Sequence, residues 1–364
     1  MKIAFYGSSL LSSYWNGAAT YYRGLLHALA RRGYDITFYE PDVYERQQNR
    51  DIDEPDWCQV VVYPGTAMAI ADVTRHAAEA DIVVVTSGIG FEDDTVRELV
   101  YRNARPGALR IFWDVDAPAT LQQLAAEPDH PLHDHLQSVD LVLTYGGGDP
   151  VIYGYRSFGA RECIPIYNAL DPETHHPVPP VARFNADLSF LGNRLPDREA
   201  RVEEFFLGAA HAAPQKAFLL GGSGWHDKPV PRNVHLVGHV RTADHNAFNV
   251  TPLAVLNISR ESMAANGFSP ATRVFEAAGA GACLITDDWA GLDLFLKDGE
   301  EVFAARDGRD VAEILERLTT ATAKEVGQRA RARVLREHTY DRRAEEADAI
   351  FRRFFAAERK VAAE

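Results

Sequence analysis

Between Ser259 and Asp288 the chain reads S-R-E-S-M-A-A-N-G-F-S-P-A-T-R-V-F-E-A-A-G-A-G-A-C-L-I-T-D-D. Two side chains in it have the type and spacing to hold a nucleotide. Arg273 and Glu276 stand three residues apart, which on a helix makes them neighbours on the surface. A carboxylate such as Glu276 can accept both hydroxyls of a ribose as a fork of charge-assisted hydrogen bonds, and a guanidinium such as Arg273 can meet phosphate oxygens. The competing reading is a surface Arg–Glu pair contributing well under ~1 kcal/mol. Just upstream, Asn266, Gly267 and Phe268 read as a turn. Ser269 can cap a helix and Pro270 suits its first position. Free N–H groups at a helix start, together with its dipole, favour an anion such as a diphosphate. Pro270 has no N–H, so the expected donors are Ala271 and Thr272.

A second constellation is I-F-W-D-V-D-A-P at 111–118. Asp114 and Asp116 sit where an apolar strand runs out, and in extended chain they point to one side. Two such carboxylates can act as a general base and its partner, or bind a divalent ion. The competing reading is two loop aspartates capping a helix from Ala117. Asp-x-Asp alone is too short a match to carry a metal assignment, and no metal is expected.

These residues need elements to place them. Leu253 to Ile258 reads as a buried strand. Val274, Phe275 and Ala278 give the following helix an apolar face, Gly279 and Gly281 end it, and a strand starts at Cys283. The helix start then faces the carboxyl ends of the strands, where open α/β sheets bind ligands. The same grammar fills the first half. Strands are expected at Lys2–Tyr6, 35–40, 59–63, 81–86, 109–114 and 140–145, with a helix over 17–33, which predicts parallel sheets covered on both faces. A second run starts with a strand over 187–191 and a glycine turn at Gly192, and continues with strands over 217–220 and 234–240. The turn after Tyr6 lacks the G-x-G-x-x-G fingerprint, which argues against a nicotinamide enzyme. Tyr145 to Pro150 reads as a structural glycine loop. His175 to Pro180 reads as a solvated, proline-rich linker whose adjacent histidines point apart.

With 364 residues there is room for about two domains. A net charge of −14 argues against broad nucleic-acid binding. Three scattered cysteines form neither a disulfide framework nor a metal spacing, which fits a reducing cytoplasm. No apolar run approaches the ~18 residues of a membrane span, and Met1 to Gly7 reads as a strand rather than a signal peptide. A terminal helix over 341–360 carries Ile350, Phe351, Phe354 and Phe355 on one stripe. Core packing is the expected use of that stripe, and peripheral membrane contact beside the arginines and Lys360 is the runner-up.

The stretch N-G-F-S-P-A-T-R-V-F-E-A-A-G-A-G resembles the donor-binding element of GT-B glycosyltransferases, and its R-x-F-E pattern is similar to that of the CgeB-like group. The resemblance implies two facing Rossmann-like domains, an acceptor-side one over 1–172 and a nucleotide-sugar-binding one over 183–340. It also implies a helix over 341–364 that crosses back onto the first. Glu276 matches the second of the wider family's two glutamates, which holds the ribose. The first falls at Phe268 and is missing, which leaves sugar identity and stereochemistry open. Asn16-Gly17 resembles the loop facing donor and acceptor. Asn193 and Arg194 follow the turn whose basic residues meet the diphosphate. Arg194 and Arg198 could both reach it, but lone arginines are more often surface residues, so Arg198 is set aside and Arg194 is the expected contact. His239 follows the strand whose end meets the base edge, and Trp225 is read as packing against a base or an interface. The W-x-x-D-x-P segment resembles one facing the interdomain cleft, so Asp116, with Asp114 second, is the expected base if the reaction inverts, whereas retention needs no protein base. The expected activity is metal-independent transfer of a sugar from a nucleoside-diphosphate sugar, with no bound cofactor. The rival readings are an epimerase or hydrolase on the same fold, and a non-catalytic nucleotide-sugar-binding protein.

Overall fold

The computed structural model describes residues 1–14 and 16–361; the last three residues of the terminal segment and the Lys360 side chain lie outside the described ones. The chain divides into two compact units, one formed by Met1–Tyr167 with the segment from Tyr340 onward, the other by Asn168–Thr339.

The first unit holds a seven-stranded sheet. Its strands are β1 (Lys2–Tyr6), β2 (Asp35–Asp42), β3 (Gln59–Pro64), β4 (Ile82–Thr86), β5 (Leu109–Asp114), β6 (Leu141–Thr144) and β7 (Cys163–Pro165). They lie in the order β3-β2-β1-β4-β5-β6-β7, all neighbours parallel. A parallel strand covered by helices on both faces must be apolar along its length rather than alternating, and β4, I-V-V-V-T, is buried at every position. The second unit repeats the plan with β8 (Leu188–Leu191), β9 (Phe218–Gly221), β10 (Val234–Gly238), β11 (Ala254–Asn257), β12 (Leu284–Asp287) and β13 (Phe303–Ala305). Their order is β10-β9-β8-β11-β12-β13, again parallel, with Phe190 opposite Leu256 and Leu256 opposite Ile285. In each sheet the strand order reverses once, between β1 and β4 and between β8 and β11. Loops leave such a reversal point in opposite directions and open a crevice at the carboxyl edge.

The helix Tyr340–Val361 belongs to the first unit and packs on the helix Ala19–Arg31. A Cβ at Gly24 would run into the Tyr340 ring, so only glycine lets the two approach this closely. Arg31 pairs with Asp341 at 2.7 Å, Tyr34 donates to Asp348 at 2.7 Å, and Arg353 pairs with Glu162 at 2.7 Å. The stripe actually buried is Tyr340, Ala344, Ala347 and Phe351. Phe354 and Phe355 are only half-buried and pack edge-on against each other at 5.4 Å. Among the described residues no helix is long and apolar enough to cross a membrane.

Three elements depart from expectation. Residues Glu261–Asn266 form a short helix where a loop is expected. The Arg/Glu-rich stretch from Asp310 to Glu337, which reads from sequence as helical throughout, splits into Gly308–Arg317 and Thr320–Glu337, because the Thr319 side chain accepts from Thr322 N–H and caps a new start. The glycine loop after β6 turns into a helix at Gly148, with Gly147 at φ 102.

Candidate functional site

The helix Thr272–Ala280 crosses from β11 to β12, so its first turn lies at the carboxyl edge of the second sheet beside the reversal point. It starts two residues later than Ser269 and Pro270 predict. Ala271 is extended at φ −66, ψ 154 and is the residue before the first turn. The Pro270 carbonyl is held by Asn168 Nδ2 at 3.1 Å, and the Ser269 hydroxyl donates to Gly267 O at 3.0 Å instead of capping. Val274 N–H bonds Ala271 O at 3.1 Å, and the helix opens on the N–H groups of Thr272 and Arg273. The turn before them is fixed by backbone. Gly267 (φ 69) and Phe268 (φ 51) are both left-handed, and Phe268 N–H bonds Ala290 O at 2.7 Å. A Cβ on Gly267 would stand 2.8 Å from that same carbonyl.

Glu276 is enclosed, with its side chain 10% exposed. His175 Nε2 stands 3.9 Å from one carboxylate oxygen and Arg273 Nη2 3.9 Å from the other. Burial pushes the carboxyl pKa up, but His175, Arg273 and His245 together outweigh it and hold Glu276 below its ordinary value. The His245 ring nitrogen Nε2 lies 3.3 Å from Val240 O, to which it donates. Burial, with Arg273 second, pushes the imidazole pKa of His245 down to about 4. His175 corrects the expectation of a solvated linker: it is 4% exposed, whereas His176 beside it is exposed. Ligand atoms of His175, His245 and Glu276 lie within 4.8 Å of one another, a donor set that suits a divalent metal in type. The Arg273 guanidinium beside the same carboxylate already supplies fixed positive charge there, which opposes a cation.

The strap bearing His175 lies on this helix because Gly279 has no side chain. A Cβ there would overlap Leu170 Cδ1 and stand 3.1 Å from His175 O. Gly279→Ala is therefore expected to lower stability by about 1–3 kcal/mol, read as a fall of roughly 3–8 °C in the melting temperature.

The basic groups are sorted differently from expectation. Arg194 pairs with Glu199 at 2.7 Å and Asp227 at 2.9 Å, so its charge is already answered. Arg198, set aside from sequence, is the enclosed one. Its Nη2 donates to Asn193 O at 2.7 Å, and its Nε is buried without a hydrogen-bond partner. Burial, then repulsion from Arg273, pushes its pKa down to about 10, so it remains charged at neutral pH. Arg273 donates to the buried Asn249 Oδ1 at 3.2 Å, and burial holds its pKa below the usual arginine value. Asn193 Oδ1 accepts from Ser223 N–H at 2.9 Å and stitches the turn after β8 to the loop after β9. Trp225 does not offer its ring to a base. It is 2% exposed in the hydrophobic core, and its Nε1 donates to Gly192 O at 2.7 Å. His239 is exposed beyond β10, after Gly238 at φ 67.

At the carboxyl edge of the first sheet, Asn16 is buried and builds its own loop. It accepts from the Ser8 hydroxyl at 3.0 Å and donates to Ser9 O at 2.9 Å and Ser12 O at 3.0 Å. Gly17 is exposed with open space around it. Asp114 is fully buried. It accepts from the Ser87 hydroxyl at 2.6 Å, from Asp116 N–H at 2.8 Å and from the Tyr155 hydroxyl. Asp116 is half-buried at the residue before the helix Ala117–Ala126, and its side chain makes no capping bond to that helix.

Sequence reasoning missed His175 and His245, and it ranked Arg198 below Arg194. None carries a local signal, because what distinguishes each is enclosure beside Arg273 or Glu276.

Residues 198–349 match the family described as glycosyl transferase-like. No curated protein matches the chain in sequence. Among solved structures the fold is similar to that of Anabaena HepE in complex with UDP and glucose, with TM-score 0.67 and 14% identity over 96% of this chain and 99% of that one. It is also similar to sucrose-phosphate synthase from Thermosynechococcus elongatus, with TM-score 0.70 and 14% identity over 98% and 100%. A third is an alpha-glucosyltransferase in complex with UDP-glucose and DNA containing an abasic site, with TM-score 0.69 and 11% identity over 96% and 98%. The chain has the GT-B fold, two Rossmann-like domains built on parallel sheets.

Proposed function

We propose that the chain transfers a sugar from a uridine-diphosphate sugar to an acceptor hydroxyl, using fixed cationic groups rather than a metal to stabilise the departing diphosphate. The observation that carries this reading is the enclosed Glu276 carboxylate next to Arg273, with Arg198 nearby and its Nε unanswered. Glu276 accepts the two ribose hydroxyls. Arg198, Arg273 and the Thr272 and Arg273 N–H groups receive the diphosphate as the bond from the sugar's anomeric carbon to its oxygen breaks. The second unit is then the donor-side domain and the first the acceptor-side one. There Asp116, with Asp114 committed elsewhere, takes the proton from the acceptor oxygen as that oxygen bonds to the anomeric carbon. The uridine nucleotides held by HepE and the alpha-glucosyltransferase support the choice of base. Phe268 in place of an acidic residue supports membership of the CgeB-like group. The net charge of −14 favours an acceptor other than nucleic acid, and three buried free cysteines suit the cytoplasm.

The test is a thermal-shift panel of UDP, GDP, TDP, ADP and CMP, followed by transfer assays with the corresponding sugars. UDP is expected to stabilise most, and transfer is expected only when an acceptor is present. Donor turnover without acceptor would replace the reading by a hydrolase or epimerase. Stabilisation by UDP with no turnover of any donor would replace it by a binding protein.

A further inference from the structure

We infer that His175 is a positioning residue for the donor nucleotide: carried on the strap that follows Tyr167, it sets the Glu276 carboxylate for the ribose and so governs donor affinity rather than the chemical step. This rests on the reading of Glu276 given above.

The strap is anchored along its length within the second unit. Asn168 Nδ2 donates to Pro270 O at 3.1 Å, at the start of the helix that bears Glu276. Leu170 N–H donates to His338 O at 2.8 Å. His175 N–H closes back on Asp171 O at 2.9 Å, and Asn246 Nδ2 holds Thr174 O at 2.9 Å from the helix that starts at His245. Gly279 removes the Cβ that would push the strap off. Such a segment defines where its side chains go. A residue serving only to fill this space would be apolar, because burying an imidazole costs free energy unless a polar partner answers it. The partner is Glu276 Oε1, at 3.9 Å.

That spacing is about 1 Å longer than a hydrogen bond, so the carboxylate is flanked without being captured. His175 stands on one oxygen and Arg273 on the other, with His245 as the third charged or titratable neighbour. A carboxylate bracketed this way is confined to a narrow range of rotation while both oxygens stay open to hydroxyl donors. Confinement before binding lowers the ordering cost that binding would otherwise carry.

Calorimetry with UDP, and steady-state kinetics with the UDP-sugar that wild type uses, would be run on H175F, H175L, H175Q and E276A. H175F and H175L fill the space and cannot donate, whereas H175Q keeps an N–H. The apolar variants are expected to raise Kd and KM about tenfold, with kcat within about threefold of wild type. H175Q should recover most of that loss. Where H175F folds poorly by its melting temperature, H175L is read in its place. Apolar variants that bind UDP like wild type while E276A does not would overturn the role of His175 and leave that of Glu276 standing. E276A binding UDP like wild type would overturn the site itself.

Discussion

Glu276→Ala is expected to raise the dissociation constant for UDP by about two to four orders of magnitude. Two hydroxyl-to-carboxylate hydrogen bonds are lost together, each contributing about 1.5–3 kcal/mol. The carboxylate is enclosed, so little water remains to weaken them. The substitution also removes the charge that faces the buried Arg273 guanidinium, so the folded state should lose stability as well. Glu276→Gln separates the two effects: it keeps the shape and one acceptor, and should sit between wild type and the alanine variant in UDP binding. Calorimetry against UDP and uridine, alongside a melting curve, reads both. Lowered stability with unchanged UDP affinity would make Glu276 a structural ion partner and remove it from the site.

Arg198→Ala should lower kcat/KM for the donor by about two to three orders of magnitude, whereas Arg194→Ala should change it by less than about twofold. An electrostatic donor aimed at charge developing on a leaving group typically contributes about 3–4 kcal/mol in an enclosed site. Arg198 has that enclosure, and burial together with repulsion from Arg273 already disfavours its charge. A diphosphate would relieve both costs. Arg194 has two carboxylate partners near the surface and little left to offer a ligand. Uridine should bind Arg198→Ala nearly as well as it binds wild type, while UDP should not, because only UDP carries the charge that Arg198 answers. Equal losses for uridine and UDP would place Arg198 in the fold rather than at the diphosphate.

Much of the scaffold is legible without coordinates. Strands such as I-V-V-V-T at 82–86 and L-A-V-L-N-I at 253–258 are short apolar runs between turn residues, a length and pattern that suit a strand buried on both faces. Helix ends are less legible. Ser269 and Pro270 have the right chemistry for a helix start, yet Asn168, about a hundred residues away in sequence, holds the Pro270 carbonyl and the helix begins at Thr272. A capping preference contributes about 1 kcal/mol, and one buried tertiary hydrogen bond is enough to move it.

The sequence by itself determined the α/β alternation, the break into two units and the placing of Arg273 and Glu276 on one helix. These depend on periodicity and on neighbours within a few residues. The tertiary structure decided which charged groups are free to serve a ligand. It paired Arg194 and enclosed Arg198, committed Asp114 to three donors, buried Trp225, and turned His175 from an apparent linker residue into a neighbour of Glu276. The reason is that charge and hydrogen-bonding capacity are answered across space. A residue's partners come from strands and helices far apart in sequence, and spacing along the chain does not record whether they have already been taken.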